Sequence, residues 1–186
     1  DAVVSQVAPL LHRMLGPAQA LSFELGAPEQ LLRLDPANLE LALLNLVANA
    51  RDAMPDGGTV VISTQVTDDV PNLEATEATA ASRFVIITVR DTGIGMTAEV
   101  RERLFEPFFT TKPQGKGTGL GMPTVYGFVR RLQGAVQVES QLGRGTVVRL
   151  ILPVLDGVDD SVSVGARHLP KHASHAVHRV LLVDDE

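Results

Sequence analysis

The 186-residue chain contains no cysteine and no tryptophan. The first absence removes disulfides, thiolate nucleophiles, zinc ribbons and iron–sulfur clusters together, and it suits a reducing compartment. Aromatic residues make up 4%, and the net charge is −6 with a pI near 5.3. A nucleic-acid binder needs a basic face, and a single-strand binder needs aromatic stacking platforms, so neither class is expected. No apolar run approaches the roughly 18 residues of a membrane helix; the stretch 41–48 is interrupted by Asn45. There is no signal-peptide pattern, and the sequence opens on Asp1. It therefore reads as a fragment of a longer soluble or cytoplasmic region, whose parent protein can still be membrane-anchored. What remains is ordinary globular composition, 45% apolar and 20% charged, in a chain long enough to bury a core without staples.

Periodicity orders the elements. Residues 2–15 space Val4, Val7, Leu10, Leu11 and Leu15 helically, and Gly16 ends the run. Residues 20–25 and 31–34 are expected to form two short strands around a Gly-Ala-Pro turn. Asp35-Pro36 is an N-cap followed by proline at the first helical position, opening a helix to about Met54 that stops at PDGG. Strands at 59–66 and 83–90 are rich in β-branched residues and flank an acidic loop, 67–82. Thr97 caps a short helix to about Leu104, and 105–120 is a loop. A helix follows from Gly121 to Leu132, then strands at 135–140 and 145–152. The pattern predicts an α/β two-layer sandwich with helices on one sheet face.

After Pro153 the apolar pattern lapses, so residues 154–179 read as a linker. The linker carries His168, His172, His175 and His178. These are either a metal-binding tract or part of a solvated connector, and Pro170 with the lack of acidic partners favours the connector. The last seven residues, VLLVDDE (180–186), look like the first strand of another domain.

Three glycine-rich segments carry the chemistry: DTGIGM (91–96) after a strand, GKGTGLGM (115–122) entering a helix, and GRGT (143–146) between strands. Glycine permits close backbone approach, and a helix start offers free N–H groups to an anion, so the second segment is a candidate phosphate cradle; a simple turn is the alternative. The P-loop pattern is excluded, because Gly115-Lys116 is followed by Gly117 and Thr110 stands where the first glycine belongs. The dinucleotide fingerprint fails too, since residues 117–121 are G-x-G-x-G. In NLVANARDAM (45–54), Asn45 and Asn49 share one helix face with Asp52. They form either a pair of satisfied core amides or a site for a hard cation such as Mg²⁺.

The ordered series NLVANARDAM, DTGIGM, FEPFFTTK, GKGTGLGM and GRGT resembles the N box, glycine boxes and F box of sensor histidine kinases, in the GHKL superfamily with the Bergerat ATP-binding fold. The resemblance covers residues 2–153 and implies a mixed sheet with helices on one face. It implies ATP and Mg²⁺ as cofactors, with Asp91 accepting from the adenine amine. Gly93 and Gly95 would approach the base, and Thr146 would support Asp91. Asn49 would ligate Mg²⁺, with Asn45 near the phosphates. Thr111, Lys112, Lys116, Gly117, Thr118, Gly119, Leu120 and Gly121 would form the lid and triphosphate cradle, with Asn49 and Lys116 catalytic. Hydrolysing relatives carry an acid where this chain has Asn45, which favours transfer over hydrolysis. The implied acceptor is a histidine on a dimerisation and phosphotransfer hairpin domain. His12 reads as a linker-helix residue, so this chain would lack its own acceptor and be monomeric or weakly associated. VLLVDDE resembles the start of a receiver domain, with Asp184 and Asp185 as its acid pair, which implies a hybrid kinase. The alternatives are a degenerate nucleotide-binding or scaffold module and a free-standing GHKL ATPase.

Overall fold

The computed structural model describes residues 1–27, 32, 34–69, 83–113, 115 and 117–154. Its elements are α1 (Ala2–Met14), β1 (Gln19–Leu25), α2 (Pro36–Asp52), β2 (Gly58–Thr67), β3 (Phe84–Asp91), α3 (Ala98–Glu102), α4 (Gly121–Arg131), β4 (Ala135–Gln141) and β5 (Gly145–Pro153). The linker after Val154, its histidines, the VLLVDDE segment, most of the acidic loop, Lys116, and residues 31 and 33 of the expected second strand lie outside the described residues. Leu32 and Leu34 belong to no strand; they pack instead against the edge of the core. A four-residue run is too short to specify a strand by pattern alone. The helix capped by Thr97 ends at Glu102 rather than near Leu104.

The five strands form one mixed sheet in the order β1-β2-β3-β5-β4. β1 and β2 are parallel, joined by a crossover containing α2, as parallel pairing requires. The other three pairings are antiparallel. Alternation along β3 points Val85, Ile87 and Val89 at the helices, where Val60, Ile62, Val148, Leu150 and Leu152 join them. α2 packs between α1 and α4 on this face and contributes Leu39, Leu43, Leu46 and Val47. Phe84, Ile86, Ala135 and Ile151 form a separate small cluster on the opposite side.

The start of α2 is built as its sequence requires. The Asp35 side chain accepts from Ala37 N at 3.0 Å and Pro36 occupies the first turn, an arrangement that satisfies one free N–H and asks for none from proline. At the other end Gln19 Nε2 donates to Arg51 O and Met54 O. The last turn of α2 is thus tied to β1, and the turn carrying Asn49 and Asp52 is fixed relative to the sheet.

Candidate functional site

A cavity of about 680 Å³ opens between α2, the loop after β3, residues 109–113, 115 and 117–119, and the start of α4, within the usual size of a small-molecule site. Of the residues expected at a nucleotide site, Asn45, Asn49, Asp91, Gly95, Thr111, Lys112, Gly117, Thr118, Gly119, Gly121 and Thr146 line it. Gly93 and Leu120 do not. A Cβ on Gly93 would meet Ala53 O at 2.6 Å, so its missing side chain serves close packing on the C-terminus of α2. Leu120 is the N-cap residue of α4 and faces outward. Most of the apolar lining, among it Ala53, Ile94, Met96, Leu104, Phe109 and Val148, carries no signal in the sequence. These are ordinary hydrophobic residues whose convergence depends on tertiary structure.

One end of the cavity is organised by backbone. Asp91 closes β3, paired with Val60 and Thr146, and is 8% exposed. Gly93 N donates to Asp91 Oδ1 at 2.8 Å and Thr146 N donates to the same oxygen at 3.2 Å. Oδ2 has no partner among the described residues. Burial pushes this carboxyl above its ordinary value, partly offset by the two backbone N–H groups. The loop beyond it is stapled on both sides. Ile94 N donates to Ala53 O, and Gly143 N donates to Ile94 O at 2.8 Å. Gly95 sits at φ +65°, hard against the Gln141 backbone, where a side chain has neither the conformation nor the room. Thr146 presents its hydroxyl to Ser140 Oγ at 3.0 Å.

The other end is organised by side chains. Asn45 and Asn49 lie on the cavity wall rather than in the core. Asn45 Nδ2 donates to Leu41 O, one turn back along α2, and its Oδ1 faces Gly121, where a Cβ would meet it at 3.2 Å. Lys112 Nζ donates to Asp52 Oδ2 at 2.6 Å and to Asn49 Oδ1 at 3.2 Å. Arg51 holds the other oxygen of Asp52 at 2.7 Å. Burial pushes Asp52 up, but the hydrogen bonds and charges of Lys112 and Arg51 outweigh it and hold the carboxyl below its ordinary range. Lys112 therefore gives residues 110–113 a polar anchor on α2, across more than sixty residues of sequence, which no local pattern signals.

The donor set at this end fits a hard cation that retains waters and bridges phosphates. Among the described residues no cluster of three His, Cys, Asp or Glu forms a self-sufficient cage. An amide oxygen and a carboxylate already face one cation, the Lys112 ammonium. Beside the loop, Phe108 is 74% exposed at φ +68°. Its N–H donates to Gly119 O at 3.0 Å, which holds the exposed ring beside the loop's end. No helix among the described residues is long and apolar enough to cross a membrane.

Residues 34–156 match the family described as histidine kinase-, DNA gyrase B-, and HSP90-like ATPase. The chain is 35% identical over 99% of its length to the sensor kinase CckA of Brucella abortus, covering 20% of that protein. It is 36% identical over 68% of its length to sporulation kinase E of Bacillus subtilis, covering 15% of it. The chain thus spans a fifth or less of these relatives. A mycobacterial sensor histidine kinase, MprB, shares the fold with a TM-score of 0.62 at 24% identity, over 82% of this chain and 92% of that one. Full-length ShkA, solved in complex with AMPPNP, aligns with a TM-score of 0.59 at 25% identity, over 82% of this chain and 28% of that one.

Proposed function

The chain belongs to the histidine kinase-, DNA gyrase B- and HSP90-like ATPase family, and from that premise we propose that it binds ATP and transfers the γ-phosphoryl group to a histidine of a helical-hairpin domain in the same protein. The family membership, the sensor-kinase relatives and the AMPPNP complex of ShkA support this reading. In it, residues 1–153 are the catalytic domain, 154–179 a linker and 180–186 the first strand of a receiver domain, all in the cytoplasm.

The observation that carries the reading is the Asp91 carboxylate, one oxygen taken by two backbone N–H groups and the other left open at the cavity. An open, buried acceptor selects an exocyclic amine. Adenine supplies that amine, whereas guanine would set a carbonyl oxygen against the carboxylate. Phosphoryl transfer calls mainly for positioning and charge neutralisation. Lys112, Lys116 and the glycine-rich residues 117–121 would hold the triphosphate at the start of α4. Asn49 would hold Mg²⁺, which supplies charge neutralisation on the phosphates when bound. Asn45, an amide where hydrolysing relatives carry an acid, is a poor base for water and leaves the phosphoryl group to an incoming side chain.

Calorimetric titration of ATP and GTP into the wild-type and Asp91→Ala proteins tests this. Losing a hydrogen bond to a charged group weakens binding by about tenfold to a hundredfold. The ATP-over-GTP preference should shrink with it. A folded Asp91→Ala protein with an unchanged preference would remove Asp91 from base recognition.

A further inference from the structure

Lys112 stands where a bound cation would be useful. Its ammonium lies 2.6 Å from Asp52 and 3.2 Å from Asn49 Oδ1, the oxygen assigned above to the divalent cation. Asp52 is oriented for this task, because Arg51 takes Oδ1 and leaves Oδ2 for the lysine. The stem is fitted as well. Thr110 Oγ1 accepts from Lys112 N at 3.1 Å, and a Cβ at Gly117 would come within 3.1 Å of Lys112 Cδ. Glycine at that position lets the loop fold down on the lysine. Pair and stem together make this a built contact rather than a chance meeting of exposed charges.

A single amide oxygen cannot serve both cations. Mg²⁺ binds oxygen at about 2.0–2.1 Å, and a dication that close to Asn49 Oδ1 repels an ammonium on the same atom. We propose that Lys112 and the divalent cation are alternative occupants of Asn49, with Asp52 as the positioning residue that holds the ammonium there until metal-bound nucleotide displaces it. The proposal rests on Asn49 being the metal ligand. While the site is empty, the lysine neutralises Asp52 and pins residues 110–113 to α2. With nucleotide but no metal, the same ammonium offsets part of the phosphate charge. Once the metal is present it takes over that neutralisation, and the displaced lysine keeps only its pairing with Asp52.

Two kinds of cation that substitute for one another leave a signature in metal dependence. A non-hydrolysable ATP analogue is titrated into the full chain in Mg²⁺ and in EDTA, for wild type, Lys112→Met and Asn49→Ala. Loss of the charged contact should lower affinity in EDTA by about tenfold to a hundredfold. Affinity in Mg²⁺ should fall much less, so the ratio between the two buffers rises in Lys112→Met. Equal losses in both buffers would overturn the proposal, because the lysine would then act alongside the metal. An Asn49→Ala protein that keeps the wild-type ratio would remove the metal from Asn49 and overturn the underlying reading as well; loss of the ratio there, with Lys112→Met unchanged from wild type, would overturn the exchange alone. A second readout needs no ligand. Acylation of Lys112 by an N-hydroxysuccinimide ester, followed by mass spectrometry, should run several-fold faster in Asp52→Asn than in wild type. An unchanged rate would overturn the tether.

Discussion

The two ends of the cavity are built on different principles. At the Asp91 end, the carboxylate is held by backbone N–H groups and the adjoining loop is pinned by backbone hydrogen bonds on both sides. At the Lys112 end, the contacts are side chain to side chain and about 30% exposed. Backbone contacts within a sheet offer one geometry. Ion pairs between long side chains are worth little singly and exchange partners readily. An invariant feature such as a purine edge suits the first construction, and a triphosphate with its counterions suits the second.

The sharpest way to break this contrast is to add one methyl group at each end. Gly95→Ala forces an L residue to φ +65° and drives a Cβ into the Gln141 backbone. Strain and clash together should destabilise the fold by about 3 kcal/mol, and Tm should fall by about 6–12 °C. Gly115 also has positive φ, but nothing lies within 4 Å of its would-be Cβ, so Gly115→Ala should cost about 1 kcal/mol. Comparable losses in two thermal melts would show that both ends are equally rigid.

Asp91→Asn sharpens the same contrast through chemistry. The amide oxygen can still accept from Gly93 and Thr146, so the fold should survive, but the amide nitrogen turns the open acceptor into a donor. ATP binding should weaken by about a hundredfold, since the contact is replaced by repulsion, and discrimination against GTP should fall in the same titrations. A fold lost on this substitution would mean that the carboxylate charge, not its hydrogen bonds, organises the loop.

The two carboxylates should also respond to pH with opposite signs. The Asp91 carboxyl lies above 3.8 in the folded state. The folded protein binds that proton more tightly, so this group's stabilising effect is complete below 3.8 and declines as pH rises through the folded value. The Asp52 carboxyl is held below 3.8, so its stabilising effect is present above that value and fades as pH falls through the folded value. Denaturant melts across this range should lose the falling component in Asp91→Asn and the acid-side component in Asp52→Asn. The smallest effect should be that of Asp52→Asn at neutral pH, below about 1 kcal/mol for a partly exposed pair.

Much of this arrangement was legible in the sequence, because the signals were local. The Asp35 cap, the proline after it, the β-branched strands and the Thr97 cap each fix a few neighbouring dihedrals, and they appear where expected, within a few residues at their ends. The glycine segments identified the site because missing side chains are visible in sequence even when their neighbours are not. They did not tell which glycines face the cavity: Gly93 fits against Ala53, whereas Gly95 and Gly119 line the opening. The Lys112–Asp52 pair leaves no local pattern because its partners lie 60 residues apart. The expected strand at 31–34 is absent at Leu32 and Leu34, which are half-buried outside any strand, because four residues carry too little periodicity to specify a strand.

The strand order β1-β2-β3-β5-β4 places Asp91 and Thr146 on two interior strands, away from both sheet edges. An edge strand can fray alone, but separating β3 from β5 divides the sheet through its middle. Amide hydrogens at Gly93 and Thr146 should therefore exchange with solvent at the rate set by global unfolding, while those of residues 110–113 exchange through local opening. A purine seated against Asp91 would then protect the domain as one cooperative unit, and its affinity would appear directly as resistance to denaturation.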